Sequence, residues 1–183
     1  MITIDLPSSQ DGSLNEYGYV LLVALWMTFQ CYMTGFVVVE YKRAKTYTED
    51  YLKKHYWEEH HAAYPKDKMV PKFGYPDMGC GYYSSKLSYK QWFEFNIAQR
   101  IHQNFLEQII IVVLLTLVAG LQYPALTVYL GIAYSVGRLI NALGYSKKVA
   151  GRLPGLAIFN TSLFGLLILS LKTLWTLSNA PKI

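Results

Sequence analysis

Cysteine is scarce in this chain: there are two among 183 residues, and neither belongs to a Cys-x-x-Cys pair. That excludes a disulfide scaffold and leaves redox or zinc chemistry without support. Cys31 lies in an apolar run, where a thiol usually serves as a small packing group, and Cys80 lies in a basic stretch. Lysine and arginine are absent from the first 41 residues. A secretory leader or an Arg-rich transit peptide is therefore not expected, and the first apolar run reads as a retained helix. Charge is low overall, at 16% of residues, against roughly 25% in soluble domains. Internal repeats and low-complexity tracts are lacking as well.

The charges that are present are crowded. None falls between Tyr17 and Val39, between Gln108 and Gly137, or between Leu153 and Leu171. A bilayer core about 30 Å thick is crossed by about 20 apolar residues of helix. The first and third runs each suit one crossing. The middle run is too long for one and is broken by Gly120-Leu-Gln-Tyr-Pro124, which reads as a tight hairpin turn. The expected fold is all-α, an integral membrane four-helix bundle with spans at roughly 17–42, 92–119, 125–145 and 152–176. It is expected to form a single domain over residues 1–183. Ser13 and Glu16 have the spacing of a capping box at the start of the first span.

The cations set the topology. Ten of the 17 Lys and Arg lie between Lys42 and Lys90, and Lys147, Lys148 and Arg152 lie between the third and fourth spans. Four spans place both basic loops on one face, which the positive-inside rule assigns to the cytosol or the mitochondrial matrix. The net charge of +5 thus reads as topology and contact with anionic lipid, not as nucleic-acid binding. The endoplasmic reticulum and the mitochondrial membranes both fit.

Residues 46–89 are long for a loop in a helix bundle, where connections run about 2–8 residues. Thr48 to His61 reads as a short polar helix opened by Thr48, and the remainder, rich in Tyr, Pro and Gly, reads as irregular. His55, Glu59, His60 and His61 raise the question of a metal. His55 and Glu59 share a face at i, i+4, but no third well-spaced ligand follows, so a solvated or interfacial helix is the expectation.

The start of the second span carries the most information. It reads Phe95-Asn-Ile-Ala-Gln-Arg-Ile-His-Gln-Asn-Phe-Leu-Glu107. Arg100, Asn104 and Glu107 fall at i, i+4, i+7 on one helical face, with Gln103 beside them. Charge within a span is costly and normally faces a cavity or a partner. A stripe of cation, amide and anion suits a zwitterionic peptide-like ligand, with Arg on its carboxylate and Glu on its ammonium. A structural Arg–Glu pair, or a helix end outside the bilayer, accounts for the same spacing. Arg138 and Arg152 add to the ligand reading, because an arginine beside a thiol stabilises the thiolate. Arg152, with Lys147 and Lys148, also reads as an ordinary basic flank.

Phe95-Asn-x-x-Gln-Arg-x-His-Gln-Asn-x-x-Glu107 resembles the signature of the membrane-associated proteins in eicosanoid and glutathione metabolism, the MAPEG family. The likeness begins at Glu16-Tyr-Gly-Tyr-Val-Leu-Leu22 and resumes at Gly137-Arg-Leu, Gly144-Tyr145 and Arg152. The resemblance implies four-helix subunits, usually homotrimers, that bind glutathione between neighbouring subunits at the basic face. It also implies conjugation of glutathione, as co-substrate, to lipophilic electrophiles, or reduction of lipid hydroperoxides. By position, Arg100, Asn104, Glu107 and Tyr145 match glutathione-binding residues and Arg152 matches the thiol-activating arginine. Lys42 and Arg43 fall where the family carries basic residues at the end of the first helix.

Two family tyrosines are replaced, by Gln108 directly after the motif Glu and by Asn141 three residues after Arg138. Both replacements can still hydrogen-bond. The long loop at 46–89 is a third departure, on the face where glutathione would enter. Two functions follow as expectations: a glutathione transferase or peroxidase, or a non-catalytic accessory subunit of a larger membrane complex, such as a mitochondrial respiratory one.

Overall fold

The computed structural model describes residues 16–179. Ser13, and with it the expected capping box, lies outside the described residues. Helix α1 (Glu16–Thr34) continues through a π-helical stretch, Gly35–Glu40, into α2 (Tyr41–Thr46). The loop region holds α3 (Glu49–Ala63) and a short 3-10 turn at Lys72–Gly74. Then come α4 (Tyr89–Gly120), α5 (Pro124–Lys147), a 3-10 turn at Val149–Arg152 and α6 (Leu153–Ser178). No strand occurs among the described residues. Four helical stretches are long and apolar enough to cross a membrane: Glu16–Thr46, Tyr89–Gly120, Pro124–Lys147 and Val149–Ser178.

The expected spans are all present, with shifted ends. The second starts at Tyr89 and not near Trp92, because Ser88 and Gln91 form a reciprocal cap. The Gln91 amide N–H donates to Ser88 Oγ, and Gln91 Oε1 accepts from the Ser88 amide and hydroxyl. The first runs on to Thr46 and stops at Tyr47, whose φ of −102° and ψ of 66° leave the helical region. Pro124 sits in the first turn of α5, where its missing N–H is no loss.

The described residues group into two compact units. One comprises 16–31 with 105–179, and the other 32–104.

The first unit is a helix bundle with Met27, Phe105, Val112, Tyr134, Phe159 and Leu166 at its centre. Apolar burial drives little association inside a lipid, so close packing and polar ties hold such helices together. The ties are visible: Gln30 Nε2 donates to the Ser135 carbonyl at 2.9 Å, and Ser170 Oγ donates to the Leu115 carbonyl at 2.9 Å. Helices α5 and α6 meet backbone to backbone at glycines. A Cβ on Gly155 would lie 2.2 Å from the Asn141 nitrogen and 2.5 Å from the Gly137 oxygen; one on Gly144 would lie 1.9 Å from the Gly151 oxygen. Only glycine permits that approach.

The second unit carries its own aromatic core of Tyr47, Leu52, Tyr56, Val70 and Phe95. Thr48 opens α3 as its sequence suggests, with Oγ1 accepting from the Tyr51 amide at 3.3 Å. The segment expected to be irregular has no regular elements beyond one short turn, yet it is tied down. Asp77, buried, accepts hydrogen bonds from the amides of Gly79, Gly81 and Ser84 and from the Ser84 hydroxyl. Ser84 Oγ in turn accepts from the Tyr47 hydroxyl at 2.6 Å. Burial pushes the Tyr47 phenol up to about 12, outweighing the bond to Ser84. Gly74, at a φ of +66°, lets the chain pass the Tyr47 ring, which a Cβ would meet at 2.6 Å.

Burial alone would raise the Asp77 carboxyl, but the hydrogen bonds from Gly79, Gly81 and Ser84 outweigh it and hold it below its ordinary value. A depressed carboxylate contributes stability above its unfolded value, about 4, and that contribution is lost as pH falls through the folded value. Limited proteolysis of residues 64–88 should therefore accelerate as pH drops below about 4. Asp77→Asn should be cleaved faster already at neutral pH and show little further change on acidification. A wild-type loop cleaved at one rate down to about pH 3 would contradict this role for Asp77.

Candidate functional site

Arg100, Asn104 and Glu107 lie on the continuous helix α4 with the spacing that gives them a common face. Arg100 and Glu107 are exposed and Asn104 is half-buried. Arg100 Nη1 donates to Gln103 Oε1 at 3.2 Å, one turn along the same helix. The cation and the carboxylate thus flank an amide on a helix that is otherwise apolar towards its far end.

Tyr145 and Arg152 are brought together in the bundle unit. The Arg152 guanidinium carbon lies 5.0 Å from the centre of the Tyr145 ring, a cation–π distance. Tyr145 is buried, whereas Arg152 is half-exposed. Asn141 Nδ2 donates to the Arg152 carbonyl at 3.0 Å, bracing the 3-10 turn that enters α6. Asn141 therefore fixes the backbone of Arg152. Among the described residues the guanidinium of Arg152 meets a ring face and forms no ion pair with a carboxylate, which suits it to an anion.

Arg138 has the opposite character. It is 5% exposed, and its guanidinium carbon lies 4.0 Å from the Phe159 ring centre and 4.7 Å from that of Phe105. It donates to the Tyr134 hydroxyl through Nε at 3.0 Å and Nη2 at 2.8 Å, and to Gln108 Oε1. No Asp or Glu follows Glu107 in the chain, so helices α5 and α6 offer no counter-ion. Two ring faces, a phenol, an amide and the charge of Glu107 on α4 compensate the buried charge. Gln108, the second replaced tyrosine, is one of those partners. Arg138 joins the polar centre of the bundle and is closed to an incoming ligand.

Arg43, expected from its position to contact glutathione, is 1% exposed. Its Nη1 donates to the carbonyls of Asp77 at 2.7 Å and Phe73 at 3.4 Å. The rings of Tyr75 and Phe95 lie 4.3 and 5.2 Å from its guanidinium carbon. Those bonds and rings engage Arg43 in organising the loop. Lys42 forms an ion pair with Glu94. Neither partner is readable from local sequence, because both lie tens of residues away.

The histidine-rich face of α3 has local partners. Glu59 accepts from the Tyr82 hydroxyl at 2.7 Å and from Lys86 at 3.3 Å, His60 Nε2 lies 3.1 Å from Asp67 Oδ2, and His61 stacks on Trp57. Among the described residues, no three metal-ligating side chains converge.

The family model described as the MAPEG family matches residues 17–172, a stretch that covers most of the four spans and includes the α4 motif, Tyr145 and Arg152.

Proposed function

The chain belongs to the MAPEG family and is an integral membrane protein, and from that premise we propose that it is a glutathione transferase or peroxidase. Within that family we assign it to the type 3 microsomal glutathione transferases, acting on lipophilic electrophiles or lipid hydroperoxides dissolved in the bilayer. Arg100 takes a glutathione carboxylate, Glu107 its ammonium and Asn104 a peptide group, while Tyr145 lines the thiol end. Arg152 stabilises the thiolate, which attacks the electrophilic carbon; a carbon–sulfur bond forms and the leaving group departs with the electron pair. The working form is a homotrimer with glutathione held between neighbouring subunits, in the endoplasmic reticulum or a mitochondrial membrane.

One observation carries this reading. Of the two arginines in the last two spans, Arg138 is enclosed and spoken for, while Arg152 is braced by Asn141 and Tyr145 with its guanidinium open. A positioned cation without a carboxylate partner is what thiol activation needs. The test is equilibrium binding of glutathione to the full chain in nanodiscs. Saturable binding is expected, weakened about tenfold or more by Arg100→Ala or Glu107→Ala, since each removes a charge-assisted bond worth about 1.5–3 kcal/mol. Absence of saturable binding by the wild type would sink the proposal.

A further inference from the structure

The second unit contains a cavity of about 360 Å³ that the glutathione site does not use. That size falls at the lower end of the roughly 300–1,000 Å³ of small-molecule sites. Its apolar walls are Ala44, Tyr47, Leu52, Met69, Val70 and Phe73. Lys72, Lys53 and Glu49 stand with them. Glu49 pairs with Lys53 at 2.6 Å, which leaves Lys72 as the surplus cation. An apolar pocket whose charged residues are two lysines and one glutamate suits a ligand that is apolar at one end and anionic at the other.

The cavity's place along the first span narrows the ligand further. Val39 ends the charge-free run that began at Tyr17, and Ala44 follows five residues later. At about 1.5 Å per residue, Ala44 lies about 8 Å beyond the apolar run. The headgroup zone on each side of the hydrocarbon core is about 5–7 Å deep. The loop is pinned at that level: Tyr75 donates its hydroxyl to Glu40 at 2.7 Å, and Arg43 binds the carbonyls of Phe73 and Asp77. Ala44, one wall of the cavity, therefore stands at the outer edge of the headgroup zone.

Phe73 supplies an independent sign. Its φ is +58°, a left-handed conformation uncommon for a bulky residue, and its ring is 48% exposed. The Phe73 carbonyl is held by buried Arg43, whereas its side chain stays exposed at the cavity wall, which points to a use for that ring.

We propose that this cavity is a structural lipid site. It takes the headgroup end of an anionic phospholipid, with the phosphate on Lys72 and the glycerol backbone towards Phe73, Met69 and Ala44. The basic loops lie on the face where anionic lipid is expected.

The probe is phosphatidylglycerol with a diazirine near the glycerol end of one chain, compared with phosphatidylcholine labelled identically. The full chain is reconstituted in nanodiscs, irradiated and mapped by peptide mass spectrometry. The phosphatidylglycerol probe should label residues 44–53 and 69–73, be displaced by unlabelled phosphatidylglycerol, and exceed phosphatidylcholine at least about fivefold. Ala44→Phe, which fills the cavity, and Lys72→Glu, which reverses its charge, should each cut that labelling about fivefold or more. Phe73→Gly separates fold from binding: it relieves the left-handed backbone, so the melting temperature should hold or rise while labelling falls. Equal labelling by the two lipids, labelling confined to the spans, or labelling unchanged by Ala44→Phe and Phe73→Gly would each overturn the proposal.

Discussion

Arg152→Ala is expected to cut the rate of glutathione conjugation at neutral pH by about 10- to 100-fold while leaving the protein folded. The ordinary thiol value is about 8.5, and a positioned arginine brings a thiol towards 7. Returning it to 8.5 lowers the thiolate fraction at pH 7 from about a half to about 3%, and loss of transition-state charge stabilisation adds to that. The fold should survive because Asn141 holds the Arg152 backbone carbonyl, not its side chain. The pH–rate profile distinguishes activation from mere support: in Arg152→Ala the limb that reports thiol ionisation should move up by more than about one unit. Arg152→Lys retains a cation on a flexible stem and should fall between the two. A variant with unchanged rate and profile would remove Arg152 from the chemistry.

The second large effect is on stability. Gly155→Val should destabilise the bundle by about 3 kcal/mol or more, seen as a lowered melting temperature in detergent and loss of monodispersity. The new Cβ would meet backbone atoms of Asn141 and Gly137 at 2.2 and 2.5 Å, and backbone cannot step aside as a side chain can. Helices α5 and α6 would have to separate, taking Asn141 away from the Arg152 carbonyl, so glutathione turnover should fall with stability. Gly18→Ala is the control: nothing lies within 4 Å of its added Cβ, and in a helix the exchange should be neutral or stabilising by up to about 1 kcal/mol. Similar melting for both variants would show that α5 and α6 are not locked by glycine.

The spans were legible because lipid demands a signal that local composition carries: long runs without charge, bounded by basic residues. Thr48 as the cap of α3 and the turn at Gly120–Pro124 were legible for the same reason, since capping and turn chemistry act over a few residues. The start of α4 at Tyr89 was readable too, in Ser88 and Gln91, though the apolar pattern points to Trp92. What escaped the sequence depends on distant partners. Nothing near Arg43 announces that the carbonyls of Asp77 and Phe73 will accept from its Nη1. Gln108 and Asn141 look like losses of tyrosine, and their work for Arg138 and Arg152 needs the helices side by side. The close approach of Gly144 to Gly151 and of Gly137 to Gly155 likewise belongs to packing, not to either helix alone. The motif on α4 gave the site residues their types and spacing, but spacing alone left a ligand grip and a structural ion pair equally open.

The central claim is that this membrane protein ionises the thiol of glutathione. The most direct measurement is an ultraviolet difference spectrum of the wild-type protein in nanodiscs, titrated with glutathione at neutral pH. A saturable thiolate absorbance is predicted, absent when the thiol of the ligand is replaced by a hydroxyl. A titration that yields no thiolate beyond that of free glutathione at the same pH would contradict it.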